Sequence, residues 1–119
     1  QGHPWWLRRV GEEQMASRIR IRAQLKGGEC EVKALMRHPM ETGLRKDQLG
    51  ETIPARFIET VTVTHNENIV LEAHWGAAVS ANPFLGMQFE GGSVDDIVKV
   101  SWRDNQGETG EGETRIRQG

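Results

Sequence analysis

The stretch RHPMETG, residues 37–43, gathers an imidazole (His38), a thioether (Met40) and a carboxylate (Glu41) within four residues. Soft thioether beside imidazole suits copper. His65 and His74 supply further imidazoles, and Cys30 is the single thiol. Two chemistries follow: a copper carrier drawing on His38, Met40 and His74, or a small enzyme built around Cys30. Spacing weighs against both. Pro39 is a rigid spacer between His38 and Met40, and no His-x-x-His or Cys-x-x-Cys pair occurs. The plainer expectation is a set of surface histidines. Nor is there a Gly-x-Ser-x-Gly elbow.

The elements that carry these residues have a period of two. In SRIRIRAQLK, Ile19, Ile21, Ala23 and Leu25 share one face, while Arg18, Arg20, Arg22 and Gln24 share the other. Such alternation predicts a strand with one wet face. Gly27-Gly28 turns the chain into CEVKALM, whose Cys30, Val32, Ala34 and Met36 point inward. A buried cysteine behaves as a small hydrophobe with a raised pKa. Further strands are predicted over RFIETVTVTH (Phe57, Val61 and Val63 inward), IVLEAHW (Ile69, Leu71, Ala73 and Trp75 inward) and FLGMQFE (Leu85, Met87 and Phe89 inward). IVKVSW, with Val98, Val100 and Trp102 inward, and a last edge strand GETRIR complete the set. Trp75 and Trp102 are expected in the core.

About seven short strands and no sustained helical period predict an all-β, immunoglobulin-like antiparallel β-sandwich. The long polar connection HPMETGLRKDQLGETIPA is expected to be functional or to hold a small ordered hairpin. With one cysteine and no tyrosine, the marks of an antibody domain are missing. The 119 residues suggest one domain, placed at residues 15–119. Residues 1–14 look unlike the rest: QGH resembles the remnant of a cleavable tag, and PWWLRRVGEEQ reads as tag or flexible extension.

The net charge of −2 gives no electrostatic pull toward nucleic acid. No apolar run approaches the roughly 20 residues of a membrane span, and no signal-peptide pattern opens the chain. With no catalytic apparatus in view, a binding or scaffolding role is expected, made through edge strands and long loops.

The stretches RIRAQLKGGECEVKALMRHPMETG, IPARFIETVTVTHN, VLEAHWGAAVSANPFL and VKVSWRDNQG, in that order, resemble the SoxZ family. HPMETG and NPF are the specific motifs. MAS before RIRIRAQ also resembles the family's start. SoxZ is the non-carrier subunit of the SoxYZ complex of bacterial thiosulfate oxidation. The resemblance implies an immunoglobulin-like sandwich forming a heterodimer with a SoxY-type chain, which carries sulfur on a cysteine in a Gly-Gly-Cys-Gly-Gly arm. It implies transient contacts with the other Sox enzymes, no catalysis, no cofactor or metal, and a periplasmic location reached by export with the partner. The tail GETRIRQG holds no cysteine, so this chain is not expected to bear the arm. The expected partner-binding residues are His38, Pro39, Met40 and Glu41 in one loop and Asn82, Pro83 and Phe84 in another. There Met40 offers an adaptable apolar contact and Phe84 an aromatic anchor.

Overall fold

A computed structural model describes residues 19–119. The predicted tag or extension, residues 1–14, and Arg18 lie outside the described residues. Eight strands form: β1 (Ile19–Lys26), β2 (Glu29–Met36), β3 (Ile58–His65), β4 (Asn68–His74), β5 (Phe84–Glu90), β6 (Ile97–Asp104), β7 (Thr109–Arg115) and β8 (Arg117–Gln118). They make two four-stranded sheets, ordered β5-β2-β1-β8 and β4-β3-β6-β7. The fold is the expected all-β sandwich. No helix among the described residues is long and apolar enough to cross a membrane.

Alternation builds the core. Val32, Ala34, Met36, Val61, Val63, Val98 and Val100 all lie inside, with no exposed surface. Burying a valine or methionine side chain contributes about 1.5–3 kcal/mol. Trp102 is buried beside them, and Trp75 packs half-buried against them. The neighbour of Trp102 across the ladder is Gly110. A Cβ at Gly110 would stand 2.6 Å from the Trp102 indole, so the glycine makes room for the ring.

Two bulges overturn details of the simple alternation. One falls between Ile58 and Thr60 against β6, so Ile58 rather than Phe57 points fully inward. The other, in β4 at Val70, turns Ile69 out to 63% exposure and brings Val70 to the core side. An extra residue in one strand reverses the facing of everything beyond it.

The final predicted strand also differs. β7 ends at Arg115, and the chain then crosses between the sheets at Ile116, which is fully buried. Asp95 and Asp96 bracket that crossing with main-chain hydrogen bonds to Ile116 of 2.9 and 2.8 Å. β8 then pairs with β1 in parallel, the exception in an otherwise antiparallel fold. The long connection does hold a small hairpin, with a bridge between Lys46 and Thr52 and a turn closed by Asp47.

A buried histidine–aspartate clamp beside an open strand edge

The inward register of β2 runs on past its last ladder residue, so Met36, His38 and Met40 all face the interior. Pro39 between them favours extended backbone at His38. Met40 adopts a φ of 48°, uncommon for a residue with a side chain. Two contacts hold it there: its N–H donates to His38 Nδ1 at 3.0 Å, and its Sδ accepts the Ile58 N–H at 3.4 Å.

The second predicted loop closes on the first. Asn82, itself at φ 51°, accepts the His38 N–H on Oδ1 at 3.1 Å and donates its own N–H to the His38 carbonyl at 2.9 Å. Pro83 is buried, and its carbonyl accepts the Met36 N–H at 2.9 Å. HPM and ANP thus form one interlocked unit.

The His38 ring reaches Asp104 at the end of β6, with Nε2 3.0 Å from Oδ2. Because Nδ1 accepts from Met40, Nε2 carries the proton and donates. Asp104 Oδ1 accepts the Gln106 and Glu108 N–H groups at 3.0 and 2.9 Å, and Oδ2 faces Arg56 Nε at 3.4 Å. Arg56 also pairs with Glu108. Burial pushes the Asp104 carboxyl up, but the His38, backbone and Arg56 donors together hold it below the ordinary carboxylate range. The His38 ring stands edge-on to Trp102, with centroids 4.9 Å apart.

The expectation of a surface histidine is therefore corrected at His38, which is 3% exposed. The copper reading needs a free ring nitrogen there, and both are engaged. A general base would need the same lone pair. The clamp instead fixes the exit of β2 to the end of β6, across 66 residues of chain.

Of the other predicted contact residues, Pro39, Asn82 and Phe84 are exposed, and Glu41 is half-buried. Met40 is interior, only 5% exposed, and has little surface to offer. Arg45 grips the Glu41 carboxylate at 2.6 Å, which holds its pKa down. Phe84 is 62% exposed and sits opposite Leu35, itself 40% exposed, making an apolar patch at the start of β5.

A family model described as sulphur oxidation protein SoxZ matches residues 19–115. The chain belongs to the SoxZ family. No curated protein matches it.

The SoxZ match covers every element that builds the clamp and the patch. At the opposite end of the β3–β6 ladder the sequence reading missed a second pair, His65 Nε2 to Asp96 Oδ2 at 2.7 Å. Hydrogen bonds from His65, the Ser93 N–H and Asn66 hold Asp96 below its usual pKa. The His65 ring leans on Phe89, with centroids 4.9 Å apart. Cys30 lies beneath this end with no exposed surface. Burial pushes its thiol pKa up, and the Asp96 carboxylate adds to the rise. His74 is exposed and meets Glu72 at 3.3 Å. Among the described residues no three His, Cys, Asp or Glu side chains gather as a metal site.

The signal for the first clamp was present in the pattern. Asp104 continues the inward series Val98, Val100, Trp102, just as His38 continues Cys30, Val32, Ala34, Met36. A charge on a buried register requires a partner.

Proposed function

We propose that this SoxZ-family chain is the non-catalytic subunit of a sulfur-carrier heterodimer. It pairs with a SoxY-type chain and holds that chain's cysteine-bound sulfur intermediates in position for the Sox enzymes. The location is periplasmic, reached by export with the partner.

The observation that carries this reading is the state of Cys30. A thiol that ferries sulfur between enzymes must be exposed, mobile and readily ionised. Cys30 is the only cysteine of the sequence; it is sealed between the sheets, and its pKa is raised. A sulfur oxidation protein built this way needs another molecule's thiol. The exposed Phe84–Leu35 pair offers the apolar centre that a protein interface requires.

Titration calorimetry with the SoxY-type chain of the same organism tests the pairing. Saturable equimolar binding is expected. Absence of heat and of co-elution at micromolar concentrations would overturn it.

A further inference from the structure

The sandwich is closed on one side and open on the other. On the closed side β1 and β7 lie against each other, Ile116 fills the gap, and Gly112 lets the backbone approach Ile19. On the other side stand the edge strands β4 and β5. Their inner side chains, Leu71 and Ala73 from β4 with Trp75 just beyond it, and Leu85, Met87 and Phe89 from β5, touch the core but stay half-exposed.

The β5 edge is the least protected of the four, its one charge being Glu90 at the last position. Soluble proteins blunt their edge strands with bulges, charges, proline or short length. β4 carries the Val70 bulge and exposed Glu72 and His74. β7 carries Glu111, Glu113 and Arg115 on its exposed face. β8 is two residues long. By contrast β5 runs seven residues in unbroken register with β2, and it holds no proline, lysine or arginine.

Its free hydrogen-bonding groups can be assigned. The Met36 N–H donates to Pro83 O, and the Gly91 N–H donates to Gly28 O. Both pairs lie in the β2–β5 register, so Leu85, Met87 and Phe89 bond to β2. Phe84, Gly86, Gln88 and Glu90 then turn their N–H and C=O groups to the open edge.

The geometry points to this edge as the docking line for one extended strand of the SoxY-type partner, apolar on its inner face and basic where it passes Glu90. The inference rests on the pairing proposed above. An added strand would satisfy the four outward residues and cover the half-exposed inner side chains with its own alternate residues. Charge selects the occupant. Glu90 lies directly opposite Glu29, both exposed. Lys26 and Lys33 are drawn to Glu31, and among the described residues no ion pair engages Glu90. At the other end Phe84 and Leu35 ask for an apolar contact. A second copy fits poorly. β5 has no cation, so every register of β5 on itself leaves Glu90 uncompensated.

Gln88→Pro tests the line directly. It removes an outward N–H and leaves the β2 ladder whole, as edge positions tolerate. The variant should keep the melting temperature of the free chain and weaken the partner by at least about tenfold, the worth of one lost hydrogen bond plus a misfit. Hydrogen exchange in the wild-type complex gives a second reading that needs no variant. The Phe84, Gly86, Gln88 and Glu90 amides should exchange fast in the free chain and become protected on binding. Should the wild type bind while these four amides stay unprotected, or Gln88→Pro bind unchanged, the docking line is wrong and the pairing stands. Should the wild type fail to bind, the pairing itself fails. Protection of β5 in a homodimer of the free chain would overturn the choice of occupant.

Discussion

Asp104 invites a pair of substitutions whose ranking follows from donor geometry. Its side chain has no exposed surface and accepts from His38 Nε2, the Gln106 and Glu108 N–H groups and Arg56. Asp104→Ala strands the His38 N–H in the interior, which costs about 1–3 kcal/mol. The two turn amides are nearer solvent, and losing their acceptor adds about 1 kcal/mol, as for a helix cap. A total of about 3 kcal/mol follows from summing these. Asp104→Asn keeps the shape yet fares little better. With its oxygen toward the turn amides, its NH₂ meets the His38 N–H. Flipped, the NH₂ meets the amides instead. A change of His38 tautomer gives no escape, because Nδ1 must accept from Met40. Urea denaturation should therefore place both variants about 2–4 kcal/mol below wild type and within about 1 kcal/mol of each other. The pH dependence has a fixed sign. Folding lowers the Asp104 pKa, so the stabilisation is complete above the unfolded value of about 3.9 and drains away as pH falls toward the lower folded value. The gap between wild type and Asp104→Asn should close over that acid window. An Asn variant as stable as wild type, or a gap that widens in acid, would refute the clamp.

Three further outcomes follow from the packing. Gly110→Ala forces a methyl group into the Trp102 indole, so it should destabilise by about 1–3 kcal/mol and shift tryptophan emission; a neutral result in urea titration would contradict the close approach. Phe84→Ala and Met40→Ala should separate cleanly. The exposed Phe84 should cost about 1–3 kcal/mol of partner affinity by calorimetry with little change in stability. The interior Met40 should cost about 2–5 kcal/mol of folding stability. The reverse assignment would reject the reading of the loop. Cys30 should react with an aromatic disulfide reagent at least about a hundredfold more slowly in the folded chain than in denaturant, given its burial and raised pKa; comparable rates would place the thiol outside the core.

The strands could be read in the sequence because alternation is a local signal. β1, β2, β5 and β6 keep strict inward faces, so Ile19, Val32, Met87 and Val100 fall where a period of two puts them. The failures share one cause, which is that a bulge or a crossover leaves no local mark. The extra residues at Glu59 and Val70 reverse Phe57 and Ile69 only because β6 and β3 pair across them. Ile116 reads as part of an edge strand until the crossing to β1 is seen. His38 was legible as chemistry and misplaced in space. Its meaning depends on Asp104, far along the chain, and on a backbone turn at Met40 that the preceding proline does not announce. The two loops chosen for partner contact do meet, through Asn82 and His38, while only part of each faces outward.

The central claim is that this SoxZ-family protein supports another chain's sulfur chemistry and carries no sulfur itself. Intact-mass spectrometry of the reconstituted pair, quenched during thiosulfate turnover by the Sox enzymes, tests it most directly. The account predicts added sulfur mass on the partner's arm cysteine and an unmodified mass for this chain throughout. A persulfide or thiosulfonate adduct on Cys30 that appears and decays with turnover would contradict it.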